Sequence, residues 1–490
     1  MLIALILGAG CLAERSYRCE SDAQCLAKAD GVCGDENWCV YPDEGCASGI
    51  AYGPQAPPSI ADTCVSVEAG SGGGSGMAGT ASDSGEPTPQ PSCGDGVVDP
   101  GETCDDGNRL PNDGCHPQCV EPGSPTWTVS WDGEANGEDR GFGVAVDAGA
   151  DAVYVAGFTT VDGMDYDILV QRWALETGEH VWTRAVDGGA LGQDMGEHVA
   201  VDGQGNVVVA GVVTTADRGT DAWLTKYSPD GDVLWTLTHD ESGGDDKGAG
   251  VALLDGDVIV MAGHVEVDGR TDAWVQRYDT DGNAVGDAVR RGDEGFNEAI
   301  DVIAQGSEYQ VTGSLTDPTD GQQAMWTARY SADGALLWEH VLTMSDNGNA
   351  ARGVGQDFDP LGGSSVGGVI VNNLLVQRYG ETGMPTTAIT IDGPDSAHDE
   401  AADVAFSPDG TFVVVGFLDF RTTGFAESDT WLARYTAAGE EIWTDRFQGA
   451  AQEIDKALGV ALTPDLSAVV VGYETVPGSA RNMWLRRYAL

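Results

Sequence analysis

Beyond Cys119 the chain has no cysteine, and all eleven that it has lie at or before that residue. The long remainder, up to Leu490, must therefore hold together without disulfides. The N-terminal part is too short and polar for a core of its own and needs them. This split predicts disulfide modules ahead of a large self-sufficient domain, and an oxidising compartment reached by export. Positive charge is also scarce: 24 Lys and Arg stand against 79 Asp and Glu, a formal net charge of −55. A surface so acidic repels nucleic acid and anionic lipid headgroups, which excludes nucleic acid as a partner. No segment after the start is apolar and long enough to span a bilayer. H-E-x-x-H is absent, and the seven histidines show no metal-ligand spacing. A single G-x-S-x-G string, Gly363 to Gly367, lies among short strand-like runs with no helix after it, so it is no nucleophile elbow. No catalytic residue is assigned, and the chain reads as a non-enzyme.

The apolar start "MLIALILGAGC" ends in small residues before Cys11. It resembles the end of a bacterial lipoprotein signal, which implies a lipid on Cys11 and a signal segment over residues 1–11. Ten cysteines then remain, an even number. Cys19, Cys25, Cys33, Cys39, Cys46 and Cys64 form a module over 12–66, with three disulfides whose pairing is open. Residues 67–92 are a Gly/Ser/Pro linker, a flexible coil reaching roughly 25–30 Å. Next comes "CGDGVVDPGETCDDGNRLPNDGCHPQC", with Cys93, Cys104, Cys115 and Cys119 among Asp-Gly and Asn turns. This run resembles the Myxococcus-type cysteine-rich repeat of secreted and surface proteins, a family with no agreed activity; its module is taken as 93–121. Two disulfides are expected in it. Its carboxylates read as turn formers ahead of calcium ligands, because they follow no EF-hand spacing.

From Trp127 onward an aromatic follows a basic residue at Trp173, Tyr227, Tyr278, Tyr330, Tyr379, Tyr435 and Tyr488, at intervals of 49 to 56 residues. Such a period signals a repeat architecture. Each unit reads as four short strands; in the second, "HVAVDG", "NVVVAGVV" and "DAWLTKYS" are followed by the turn "SPDG" and a strand ending the unit. Pro presets φ in that turn and Gly accepts positive φ. Seven four-stranded units make an all-β, seven-bladed β-propeller over 125–490. "WTVSW", residues 127 to 131, looks like a fourth strand with nothing before it, and the last unit stops after its third strand. The N-terminal strand is therefore expected to complete the last blade and close the ring. The strings "GVAVD", "VYVAG" and "DAWLTKYSPDG" resemble the bacterial seven-bladed β-propeller repeat over 127–490.

Two columns of Asp and Asn run through the units. The first is Asp139, Asp194, Asp246, Asn297, Asn349, Asp399 and Asp455; the second is Asp167, Asp221, Asp272, Ala324, Asn373, Asp429 and Asn482. Carboxylates from Asp139, Asp194, Asp246, Asp399 and Asp455 would suit a Ca²⁺ ion. A residue type repeated in every blade more simply does a per-blade job, such as capping turn N–H groups or linking neighbours. The loop before the third strand breaks the symmetry. It is longest in the sixth unit, with Phe417, Phe420, Arg421 and Phe425, while Arg290, Arg291 and Phe296 stand in the fourth. Aromatics beside Arg are what contact surfaces use, so this sector is the expected partner surface.

Together these readings describe an exported, lipid-anchored protein of the cell envelope or outer surface. Its propeller binds a protein or a glycan without chemistry, and it meets the membrane only through the anchor. The alternatives are a propeller enzyme acting on polysaccharide and an acidic, cation-binding structural component.

Overall fold

The computed structural model describes residues 32–33, 39–42, 50–52, 93–94, 96–98, 102–108, 115–116 and 118–490. Within the last stretch it omits 164, 216–218, 293–294, 344–350, 371, 394–397, 421–426, 450, 452 and 478–479. Two compact units divide the chain, Met1–Thr88 and Pro89–Leu490. In the first, the described residues form a small antiparallel sheet of Val32–Cys33, Cys39–Pro42 and Ile50–Tyr52, with Cys33 opposite Cys39. Cys11, Cys19, Cys25, Cys46 and Cys64 lie outside the described residues. No helix among the described residues is long and apolar enough to cross a membrane.

The second unit is a seven-bladed propeller of four-stranded antiparallel sheets. Blade 2 is representative: Met195–Val201, Val207–Thr215, Gly219–Tyr227 and Val233–His239 run from the axis outward. Blade 7 takes three strands from the C-terminal end, and Pro125–Trp131 pairs with Arg481–Ala489 as its outer strand. The ring closes as the sequence predicts. Alternating Val, Ile and aromatic residues put apolar side chains on both faces of each sheet, so one hydrophobic cluster lies between each pair of neighbouring blades. The smallest joins blades 4 and 5. There a buried polar network takes over: Gln310 Nε2 donates to Gln356 Oε1 (2.8 Å), Ser364 Oγ to Gln310 Oε1 (2.8 Å), and Gln356 Nε2 to the Asp301 carbonyl (3.1 Å).

A shared feature of the innermost strands is a bulge opposite the glycine of the "VAG"-type strings. A Cβ on Gly157, Gly211, Gly263, Gly313, Gly368, Gly416 or Gly472 would sit within 2.2 Å of a carbonyl oxygen on that strand. Backbone touches backbone here, which only glycine permits.

The base that ends the third strand works between blades in five of the seven, while Arg329 and Arg434 pair with Glu308 and with Thr411 in their own blades. Arg172 donates to the Pro229 carbonyl in the hairpin turn of blade 2, and Lys226 to Thr280 in that of blade 3. Arg277 reaches Ala332, Arg378 reaches Ala437, and Arg487 closes the circle on Leu175 in blade 1. Indole N–H groups of Trp182, Trp235 and Trp127 meet the same carbonyls of Pro229, Thr280 and Leu175 at 2.9 to 3.0 Å. The repeated "Trp, basic–aromatic, tight turn" pattern is thus an inter-blade fastening.

The disulfide module belongs to the propeller's unit. Nested bonds join Cys93 to Cys119 and Cys104 to Cys115. His116 is 1 % exposed, and its Nε2 lies 3.3 Å from Ser467 Oγ in blade 7.

Replacing Gly263 by Ala should destabilise the propeller by about 1–3 kcal/mol, the cost of overpacking a fixed backbone. Urea unfolding followed by tryptophan fluorescence measures it.

Candidate functional site

All seven innermost strands border one axial cavity of about 430 Å³. Its rim is set by the residues at the starts of those strands. In six blades these are Arg140, Lys247, Glu298, Arg352, Glu400 and Lys456; in blade 2 that position is Met195, and Glu197, two residues further along, lines the cavity. The next ring along is mostly apolar: Phe142, Ala249, Ile300, Val354, Ala402 and Leu458. Further along stand His198, Asp301 and Asp403.

Neighbours around the rim pair. Lys247 Nζ lies 2.7 Å from Glu197, and Arg352 reaches Glu400 at 3.8 Å. His198, in blade 2, faces Asp301 of blade 4 at 3.8 Å. Burial pushes the Glu298 carboxyl up, against the pull of Arg352 and Lys247. Burial acts the same way on Glu400, but His398, Arg352 and Lys456 outweigh it and hold that carboxyl below its usual value. One mouth thus holds a carboxyl biased towards its neutral form and another biased towards its charged form. Asp357 and Asp403, both half-buried, accept N–H bonds from the next blade, from Phe406 (2.7 Å) and Val460 (2.9 Å) respectively. Burial raises Asp357 to about 7.

The rim residues were legible only as a third column, charged in six of the seven units and just inside the start of the first strand, and reading for sameness between units passes over it.

The first Asp column caps loops. Asp139 accepts from Gly133 N (2.7 Å), Thr159 Oγ1 (2.6 Å) and Thr160 N (3.3 Å). Asp194 takes the N–H groups of Gly188 and Thr214, and Asp246 those of Glu241 and Glu266. Asp399 binds Gly393 and Asp419, and Asp455 binds Gly449 and Thr475. Each carboxylate ties the loop arriving from the previous blade to its own second strand, and each is at most 1 % exposed. Their oxygens are therefore occupied by backbone donors, and burial raises all five carboxyls. Asp167, Asp187 and Asp194 offer oxygens within 4.8 Å of one another, a grouping that Asp187, exposed, shares with solvent. Asn349 lies outside the described residues. The strand register shows that Ala351, not Asn349, holds the column position in blade 5, because Gln356 replaces the central valine.

Of the expected contact residues, Phe417 does enter the mouth: it is 4 % exposed, and the Lys456 ammonium lies 3.2 Å from its ring centroid. Phe420 ends the strand Phe412–Phe420, while Arg421 and Phe425 lie outside the described residues. Arg290 pairs with Glu241 (2.6 Å) and Arg291 with Glu339 (2.8 Å) on the outer strands, away from the axis. Phe296 is exposed, its ring edge-on to His264. Among the described residues, Phe417 lies in the mouth while Arg290 and Arg291 stand apart from it on an outer strand. In the disulfide module, Asp105 accepts N–H bonds from Gly94, Gly96 and Gly107 at 2.7 to 2.9 Å, and Asp106 accepts one from Cys115 at 3.0 Å. These carboxylates shape turns.

Asp455→Ala should cost about 1–3 kcal/mol in urea melts, since it orphans two buried donors. A chelator should leave the melting temperature unchanged. Asp357 sets a pH dependence. Its folded-state value is raised, so its contribution is complete below about pH 4 and lost as pH climbs through about 7. Asp357→Asn should accordingly flatten the fall in melting temperature between about pH 4 and 7 relative to the parent protein.

Residues 86–120 match a family described as a domain of unknown function (DUF4215). No curated protein matches the chain. Among solved structures it is similar to the WD40 β-propeller domain of Doa1, at 11 % identity and a TM-score of 0.43, covering 74 % of this chain and 96 % of that one. It is also similar to Drosophila Plexin A in complex with Semaphorin 1b, at 9 %, 0.43, 75 % and 88 %. A third is a Bacteroides caccae protein of unknown function, at 12 %, 0.39, 60 % and 93 %.

Proposed function

We propose that this is an exported cell-envelope protein, anchored through a lipid on Cys11, whose propeller is a non-catalytic module that binds a glycan or a protein at its axial mouth. The propeller is a fold that often serves in binding, and function must be argued from the site it carries. The carrying observation is the rim. In a chain of 24 cationic and 79 acidic side chains, four cations and three carboxylates from seven blades converge on one cavity above an apolar ring. Convergent polar groups over an apolar floor are what ligand pockets offer. Oxidised cysteines and the linker over 67–92 support presentation of this module outside the cell.

A second reading has one observation behind it: Glu298, raised by burial, and Glu400, held low, share the mouth. Two carboxyls with opposed tendencies are the raw material of a polysaccharide-cleaving acid–base pair.

Pull-downs from envelope extract with the whole protein test the first reading. A partner retained by Phe420→Ala/Phe425→Ala but lost with Ala249→Trp, which fills the mouth, is the expected result. A partner lost only with the phenylalanine variant would move the site to the blade-6 loop. Release of sugar from envelope polysaccharide that stops with Glu298→Gln would replace binding by catalysis.

A further inference from the structure

By strand register the rim position reads Arg140, Met195, Lys247, Glu298, Arg352, Glu400 and Lys456 from blade 1 to blade 7, with Glu197 two residues further along in blade 2. Two cations fall side by side only between blades 7 and 1, where Lys456 and Arg140 are neighbours and Arg481 adds a third cation. Elsewhere the cations are matched: Lys247 with Glu197, and Arg352 with Glu400. At the seam, Glu138 bridges Arg140 (2.6 Å) and Arg481 (3.0 Å). Among the described residues Lys456 is in no ion pair within 4.0 Å; its ammonium rests on the Phe417 ring. Of the carboxylates that act on Lys456, Asp419 acts most strongly and Glu400 next, and Asp419 is already engaged by Ser428 Oγ at 2.6 Å.

We propose that this seam is a carboxylate-binding subsite, with Lys456 and Arg140 holding the anion between the rings of Phe417 and Tyr473. Arg140 and Arg481 share Glu138, while Lys456 feels Asp419 and Glu400 without an ion pair within 4.0 Å; a singly charged carboxylate would complete that pair, and a phosphate dianion would meet repulsion from these acids. The aromatic walls are in place: Arg140 lies 4.6 Å and Arg481 5.4 Å from the Tyr473 centroid, which fixes that ring from both sides. Across the mouth, Glu298 and Asp301 present acceptors, so the far end of the ligand carries hydroxyl donors. A cavity of about 430 Å³ has room for such a molecule. The ligand class is a hydroxylated carboxylate, a sugar acid. This rests on the reading of the mouth as the binding site and names its ligand.

Isothermal titration calorimetry on the whole protein tests it with D-galacturonate, D-galactose and inorganic phosphate. Galacturonate should bind at least about tenfold more tightly than galactose, the difference a charge-assisted hydrogen bond makes. Lys456→Met keeps the stem over Phe417 and should lose that margin; Lys456→Arg should keep it. If Lys456→Met fails to melt cooperatively, Arg140→Met serves in its place. Equal binding of galacturonate and galactose, full affinity in Lys456→Met, or tighter binding of phosphate would each overturn the assignment. An envelope partner lost with Ala249→Trp while galacturonate fails to bind would sink this inference alone and leave the mouth as the site.

Discussion

Neighbouring blades are fastened to one another through carbonyls of their outer hairpin turns. In three of them the second residue of the turn, Pro229, Thr280 or Leu175, accepts both the indole N–H and the cationic side chain of the preceding blade. A carbonyl oxygen has two lone pairs and can accept both donors, so each of these turns is held in place by its neighbour. The ring seam uses the same device. Trp127 from the N-terminal strand and Arg487 from the C-terminal strand meet at Leu175, so the closure is fastened by chain ends 360 residues apart. Hydrophobic burial between blades supplies the bulk of the cohesion, and these fastenings fix the angle at which the clusters meet.

Much of this was written plainly in the chain. The basic–aromatic pair, the Trp and the turn recur because they form one contact, and a contact made in blade after blade leaves copies of its parts along the chain. The unpaired "WTVSW" foretold the closure, and the four cysteines after the linker foretold two bonds. The mouth was hidden for the opposite reason. Its rim side chains differ from blade to blade, since a ligand site gains nothing from sevenfold sameness, and Glu197 stands where the strand has moved two residues on from Arg140's equivalent. The displaced column in blade 5 has a similar origin: Gln356 took the valine position to serve a buried network, and counting from Val354 missed the register by two residues. Phe417 was picked out for its loop and proved to belong to the cavity, because it pairs with Glu400 on the innermost strand.

The chain's charge is divided by location. Its outer surface carries the excess of Asp and Glu, while the mouth brings cations and acids together nearly one for one. At long range an anion is repelled, and at the mouth it meets cations that the rest of the surface hardly offers. Screening by salt weakens the first effect beyond about 8–10 Å and acts less on the second, which is partly buried.

The glycine column carries a further consequence. Because the contact opposite each bulge is made by backbone alone, the place of every rim residue is set without reference to its side chain. Seven positions around one opening can thus be rewritten independently, each a free letter on a fixed frame. A scaffold of that kind changes what it recognises by drift at a handful of codons, with its architecture untouched.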